Sequence, residues 1–112
     1  MSAFALSLKP PYYAVIFSAQ QTNDLDGYGP MADLMGQLAA EQDGYLGVES
    51  TRDAEGFGIT ISYWRGEAAM AGWKANAKHV LAQKLGRDRW YDHYELRVAK
   101  VERAYSGPEG RG

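Results

Sequence analysis

The order in which strand-like and helix-like segments follow one another constrains the fold of this chain more than any other feature. Tyr12–Gln20 is rich in aromatic and β-branched residues, which is typical of a buried strand. Apolar residues at helical spacing then predict a first helix over Tyr28–Asp43, which Gly44 is placed to end. Two shorter strands follow, at Tyr45–Arg52 and Gly58–Trp64, with a hairpin loop between them. The first half of the chain therefore predicts the order strand, helix, strand, strand.

The second half adds one more helix and one more strand. Apolar residues at helical spacing predict a helix from Glu67 to about Leu85, and Trp90–Arg103 has the composition of a strand. Gly72 lies inside this helix and weakens it by about 1 kcal/mol relative to alanine. We therefore expect a kink near Ala75, or two helical segments that meet there.

The complete order, β-α-β-β-α-β, is that of an α+β fold of the ferredoxin-like type. Both helices then lie on one face of a four-stranded antiparallel sheet, and the other face needs a cover. Residues such as Val15 and Ile61 lie on strands that are bulky on both faces, so we expect a homodimer that stacks two sheets into an α/β barrel. In the last strand, the apolar positions change face between Val98 and Ala99. This change predicts a β-bulge, or a segment that leaves its own sheet to contact a partner.

Composition excludes several classes of protein. The chain has 112 residues, a net charge of −2 and no cysteine. The slightly negative net charge argues against a basic patch that binds nucleic acid. The absence of cysteine excludes a disulfide framework and a cysteine-ligated metal. No apolar run is long enough to span a membrane, and the N-terminus lacks the features of a signal peptide. We expect a cytoplasmic protein with an extended lead-in over 1–11, one domain over 12–105 and a flexible tail over 106–112.

Three blocks of sequence resemble a known family. They are DGYGPMADLMGQLAAEQDGYLGVES, GITISYWRGEAAMAGWKANAKH and GRDRWYDHYELRVAKVER. Together they are similar to the antibiotic biosynthesis monooxygenase family, most of all to its branch described as heme-degrading monooxygenases, and the resemblance covers Tyr12 to Tyr105. It implies a dimeric α/β barrel with a pocket between helices and sheet in each subunit. Characterised members of the family include quinone-forming oxygenases that need no metal or flavin, and heme-degrading enzymes.

The resemblance also implies roles for individual residues. Trp73 matches a tryptophan that heme-degrading members carry in the second helix. Their heme-ligating histidine corresponds to a position near Gln83, and His79 lies one turn earlier. Their strand-one asparagine falls within Ser18–Gln20, where this chain has no asparagine.

Polar residues of the second helix are the candidates for chemistry. His79 follows Asn76 by three residues and precedes Gln83 by four, so the three share a helix face. His79 could ligate heme or act as a general base, with Asn76 beside it as a second catalytic candidate and Gln83 as a substrate contact. The alternative is a histidine at the surface or in a dimer contact, next to Lys78. Neither histidine belongs to a convincing set of metal ligands, so no metal site is predicted.

Aromatic residues are the candidates for binding a substrate. Trp73 could form a pocket wall that stacks on a flat aromatic molecule, or it could simply pack in the core. Tyr63 and Trp64 alternate along a strand, so one of them faces the helices and the other faces the barrel interior. All three are predicted to contact substrate.

Two functions remain open at this point. The first is a small monooxygenase that acts on a flat aromatic or polycyclic substrate, with heme among the candidates and no tightly bound metal or flavin. The second is a non-catalytic dimer with the same fold that binds a small molecule or serves in a stress response. In both cases the expected partners are a second copy of the chain and a small aromatic ligand, and neither nucleic acid nor a membrane.

Overall fold

The computed structural model of the chain describes residues 3–5, 8–84 and 90–108, and the side chains of residues 77–84 lie outside that description. Six elements follow one another in the predicted order: β1 Tyr12–Gln21, α1 Tyr28–Ala40, β2 Tyr45–Arg52, β3 Phe57–Trp64, α2 Glu67–Lys84 and β4 Tyr91–Val101. The four strands form one antiparallel sheet in the order β2-β3-β1-β4. The prediction of an α+β fold with ferredoxin-like order is confirmed.

The central strand β1 fixes which side chains face the helices. Val15 pairs with Ser62 of β3 on one side and with Val98 of β4 on the other. Because directly opposed residues point to the same face of a sheet, these three side chains share the face that the helices cover. The neighbouring side chain in β1, Ala14, points to the opposite face and is also buried. Burial on both faces explains why the sequence of β1 is apolar almost throughout.

The core lies where α2 crosses β1 and β3. Val15, Ala39, Trp64 and Met70 form one buried cluster, with one residue each from β1, α1, β3 and α2. Trp64 is fully buried, and its Nε1 donates a 2.9 Å hydrogen bond to Ser62 Oγ. This cluster ties four of the six elements together at one end of the sheet.

The connection from α1 to β2 depends on Gly44, which has a φ of 95°. A Cβ at this position would stand 2.8 Å from the Cβ of Ala69 in α2, so the glycine allows both the left-handed turn and the close approach of the helix. The carbonyl of Gly44 accepts a 2.7 Å hydrogen bond from the amide of Arg65. The helix α1 ends at Ala40, earlier than the predicted Asp43, because a separate turn precedes the glycine.

The helix α2 is uninterrupted from Glu67 to Lys84. The prediction of two segments that meet near Ala75 is therefore wrong, because the cost of one internal glycine is small beside the packing of Met70 and Trp73. Among the described residues, no helix is long and apolar enough to cross a membrane.

The strand β4 stays paired with β1 through Val101, which lies opposite Tyr12. The predicted bulge between Val98 and Ala99 is wrong, as is the alternative of a segment that leaves the sheet there. Both faces of the edge strand β4 are largely exposed, so its apolar residues are not confined to one face by a buried core. The irregularity in this pair lies instead near Gln21, at the start of β4.

The face of the sheet away from the helices is partly covered by the N-terminal segment. Tyr12 and Tyr63 meet edge to face on this side, with ring centroids 5.6 Å apart. The hydroxyl of Tyr63 donates a 2.6 Å hydrogen bond to Glu49, and the other oxygen of that carboxylate accepts a 3.0 Å bond from the amide of Ala5. Burial and the neighbouring Glu49 raise the pKa of Tyr63 to about 12.

Candidate functional site

A cavity of about 600 Å³ lies between the helices and the helix-facing side of the sheet. Its roof is formed by one side of α1, including Met31 and Met35, and by Trp73 of α2. Its floor contains residues of all four strands. A volume of this size holds a small organic ligand, and such cavities are usually apolar with a few polar groups that orient the ligand.

One end of the cavity, which we call the core end, consists of Tyr45, Trp64 and Trp73. The two indole rings lie 5.4 Å apart with an angle of 31° between their planes, and Tyr45 meets Trp64 edge to face at 5.5 Å. Trp64 is behind the wall, whereas Trp73 and Tyr45 line the cavity. The indole N–H of Trp73 is buried and has no hydrogen-bond partner within the part of the chain that the structure describes. A buried donor without a partner is costly, so this N–H lowers the contribution of Trp73 to stability.

The other end, which we call the edge end, consists of Tyr28, Tyr91 and Tyr94. The ring of Tyr91 lies 6.1 Å from each of the other two rings. Trp90 supports this end because its Nε1 donates a 2.9 Å hydrogen bond to the carbonyl of Asp26, just before α1 begins. Burial is the main cause that raises the pKa of Tyr91, and the hydrogen bond to Tyr28 raises it further. Tyr91 therefore stays protonated and serves as a hydrogen-bond donor, not as a base.

The floor of the cavity is polar on one side and apolar on the other. On the side of β2 and β3, Ser50 Oγ and Thr60 Oγ1 are 2.8 Å apart, next to Ser62. On the side of β1 and β4, the floor is formed by side chains such as Phe17 and Leu96. A ligand with one polar edge and one apolar edge would match this arrangement.

Arg52 supplies a positive charge at the edge end. Its Nη1 donates a 2.7 Å hydrogen bond to the carbonyl of Gly56, and its Nη2 donates a 3.4 Å bond to the hydroxyl of Tyr28. The guanidinium lies against β3, because a Cβ on Gly58 would stand 2.6 Å from its Cζ. The hydroxyl of Tyr91 also donates to that of Tyr28, at 3.4 Å. Arg52, Tyr28 and Tyr91 thus form a connected polar group on the cavity wall.

The structure places the three predicted aromatic contacts in three different environments. Trp73 lines the cavity, and Trp64 packs directly behind it. Tyr63 lies on the opposite face of the sheet, where it contacts Glu49 and Tyr12. Only Trp73 of these three is therefore in direct contact with the cavity.

The predicted polar residues are all in α2. Asn76 is exposed and does not line the cavity. His79 and Gln83 belong to the same helix, but their side chains lie outside the described residues. Their roles as base, heme ligand or substrate contact stay predictions.

Sequence reasoning missed the group formed by Arg52, Tyr28 and Tyr91. These residues come from β2, α1 and β4, and only the fold brings them together. One signal was present, because Arg52 continues the alternation of Val48 and Ser50 and so places a charge on the helix-facing side of its strand. Within the described residues, no cluster of three His, Asp or Glu side chains could hold a metal ion.

Comparison with known proteins gives two informative relatives by sequence. The chain is 50% identical over 95 residues to the uncharacterized protein YqjZ of Bacillus subtilis, covering 85% of this chain and 83% of that protein. It is 33% identical over 94 residues to the jasmonate monooxygenase ABM of Pyricularia oryzae, covering 80% of this chain but 43% of that enzyme. No protein-family model matches the chain.

Solved structures share the fold at low sequence identity. SnoaB, a cofactor-independent oxygenase from Streptomyces nogalater, has a TM-score of 0.69 at 10% identity, covering 85% of this chain and 97% of its own. PA3566 from Pseudomonas aeruginosa has a TM-score of 0.64 at 14% identity, with coverage of 88% and 99%. The shared fold is that of the antibiotic biosynthesis monooxygenases, and by sequence the chain is related to YqjZ and to part of the jasmonate monooxygenase.

Proposed function

We propose that this chain is a monooxygenase that oxidises a flat aromatic or polycyclic molecule in the cavity, without a tightly bound metal or flavin. The observation that carries this proposal is the cavity itself, about 600 Å³ in volume, with Trp73 at one end and tyrosine rings at the other. Aromatic walls favour a planar ligand through ring stacking and exclude water from it. The fold shared with a cofactor-independent oxygenase supports the same conclusion.

The reaction can be balanced without an added reductant. An electron-rich substrate such as an anthrone has a ring methylene that can be oxidised to a carbonyl. One oxygen atom of O₂ becomes the carbonyl oxygen, and the other leaves as water with the two hydrogens of the methylene. The substrate itself supplies the electrons, so the protein has to orient it, help to remove its proton and stabilise the resulting anion.

His79 is the candidate for proton transfer and Gln83 a further substrate contact, whereas the second catalytic candidate, Asn76, is exposed and does not line the cavity. An imidazole titrates near neutral pH, which suits a general base for an activated methylene or phenol. Tyr91 does not compete for this role, because its pKa is raised by burial.

The test is oxygen consumption by the purified protein with a panel of anthrone-type and hydroquinone substrates, in the presence of a metal chelator and without added flavin. With an anthrone we expect uptake of one O₂ per carbonyl formed, and for every substrate the product is identified by mass spectrometry. The control is Trp73→Ala, which removes the wall at the core end and should raise KM. No uptake above the buffer rate with any substrate would refute the oxygenase function.

The alternative function is that of a dimer that binds a small molecule and catalyses no reaction. If the protein is an oxygenase, heme is a further candidate substrate. Addition of hemin separates these cases. A shifted Soret band that decays with a reductant indicates heme turnover. Binding of an aromatic ligand with neither oxygen uptake nor heme turnover indicates the binding protein.

We also propose that the chain forms a homodimer through the sheet face opposite the helices. Ile59 and Ile61 lie on that face, and Phe57 of the same strand is 45% exposed. Large apolar patches are rare on monomers, so a second sheet stacked on this face would stabilise both copies. Sedimentation at micromolar concentration should give twice the mass of the chain, and a monomer would refute the proposal.

A further inference from the structure

We propose that the edge end of the cavity binds an anionic oxygen of the ligand through Arg52 and Tyr28. This inference deepens the proposed function and rests on it for the identity of the site, because it names the class of substrate. The ligand is then an aromatic molecule that carries a carboxylate or an ionised hydroxyl group at one end.

The first argument is the charge balance of Arg52. Among the described side chains, those of residues 3–5, 8–76 and 90–108, no carboxylate forms an ion pair with Arg52; the pairs seen there include those of Arg65 with Asp43 and of His93 with Glu95. Arginine stays protonated at all ordinary pH values. A half-buried guanidinium that has no counter-ion among the described residues, on the wall of a largely apolar cavity, favours an anion more strongly than one in free solvent would.

The second argument is that the guanidinium is held in place. Its bond to the carbonyl of Gly56 and its position against Gly58 fix one edge of the planar group. An arginine has five N–H donors in a rigid arrangement, and the two observed bonds use only two of them. The remaining donors are available to a ligand without reorganisation of the side chain.

The third argument concerns the hydroxyl of Tyr28. It accepts hydrogen bonds from Arg52 and from Tyr91. An oxygen that accepts two bonds still has its own hydrogen to donate. Tyr28 therefore presents a donor beside the positive charge, and two donors of this kind match one anionic oxygen group.

The position of this group sets the orientation of the ligand. Tyr45 and Arg52 lie at the two ends of β2, roughly 20 Å apart along the strand. An anionic group at Arg52 would direct the aromatic rings toward the core end, where the side chains of Trp73 and Tyr45 line the cavity. The anionic end of the substrate and its reacting ring would then occupy different parts of the cavity.

The experiment compares two probes of nearly the same shape, 2-naphthoate and 2-naphthamide, by isothermal titration calorimetry. We expect the wild-type protein to bind the carboxylate at least about tenfold more tightly, because hydrogen bonds to charged groups are stronger than neutral ones. Arg52→Gln should remove this preference and leave the affinity for the amide unchanged. Tyr28→Phe should reduce the preference in part. Arg65→Gln, the same change at an exposed arginine outside the cavity, should leave it intact.

A third probe, 2-naphthol, distinguishes the two sources of the anion. If the site binds an ionised hydroxyl group, the absorbance of bound 2-naphthol should show a pKa below that of the free compound, and Arg52→Gln should abolish the shift. A preference for the anion in either arm supports the proposal. The proposal is overturned if the wild-type protein neither prefers 2-naphthoate over 2-naphthamide nor lowers the pKa of 2-naphthol. It is also overturned if Arg52→Gln weakens binding of the amide as strongly as binding of the carboxylate. Circular dichroism of each variant identifies a failure to fold. The comparison of anionic with neutral probes on the wild-type protein tests the proposal even if a variant does not fold.

The proposed function fails in a different way. If the wild-type protein prefers the anion but consumes no oxygen with any substrate, the anion site stands and the oxygenase function does not. If oxygen is consumed at the same rate and the same KM by Arg52→Gln, the oxygenase function stands and the anion site is wrong.

Discussion

Trp73→Phe is the most informative single change, because it separates two effects that one side chain combines. Trp73 packs against the core cluster and is half-buried, and its indole N–H is buried without a partner within the described residues. Phenylalanine keeps an aromatic ring at the same place but removes the N–H. Alanine removes both.

The expected magnitudes follow from burial. Replacing a fully buried tryptophan by alanine costs about 3–5 kcal/mol, and Trp73 is only half-buried and faces a cavity, so we expect about 2 kcal/mol for Trp73→Ala. For Trp73→Phe, the loss of apolar area costs about 1 kcal/mol. Removal of a buried donor without a partner returns about 1–3 kcal/mol. The phenylalanine variant should therefore be as stable as the wild-type protein or up to about 2 kcal/mol more stable.

The assay is urea unfolding followed by circular dichroism, with Trp90→Phe as the matched control. Trp90 is buried, and its N–H donates to the carbonyl of Asp26, so the same change there breaks a hydrogen bond and should cost about 2–4 kcal/mol more than at position 73. Equal costs for the two phenylalanine variants would refute the reasoning, because the N–H of Trp73 would then have a partner in solution.

Three further predictions concern other sites. In Gly58→Ala the new Cβ would stand 2.6 Å from Arg52 Cζ, so the guanidinium must move, and the variant should lose the preference for 2-naphthoate in the same titration. The pKa of Tyr63 is about 12 in the folded protein, above the ordinary tyrosine value of about 10, so the folded state holds this proton more tightly. The free energy of unfolding should fall as the pH rises from about 10 to about 12, and Tyr63→Phe should lessen this fall. A Tyr63→Phe protein whose free energy of unfolding falls as steeply as that of the wild-type protein would contradict this. If His79 is the base, His79→Ala should lose about 10²–10⁴-fold in turnover and keep ligand affinity, whereas unchanged turnover would make it a surface residue.

The order of the elements could be predicted because each segment has its own apolar period. Tyr45–Arg52 alternates, and the segment that becomes α1 repeats at helical spacing, so neither interpretation depends on the rest of the chain. The pattern failed in the edge strand β4, where no buried face fixes the apolar positions. Between Val98 and Ala99 the apolar residues change face although the pairing with β1 stays regular, and the sequence alone cannot separate that case from a bulge.

The candidate site was predictable only within a single element. Trp73 was identified as a cavity wall because its neighbours on one helix indicate an inner face. Arg52 lies 24 positions from Tyr28 in the chain, and Tyr91 lies 63 positions from Tyr28, so no local sequence pattern relates the three. Their convergence depends on the register between strands and on the position at which α1 begins, and both are properties of the whole fold.

The two ends of the cavity differ in how much the rest of the molecule depends on them, and this difference bears on how the family could acquire new substrates. The core end includes Trp64, which is fully buried, so most changes there would cost stability before they altered recognition. The edge end includes Tyr94, which is 40% exposed, and its neighbour Leu96 is 38% exposed. Substitutions at such positions usually change stability little. Natural drift or a directed library could therefore alter ligand choice along β4 while the hydrophobic core stays intact.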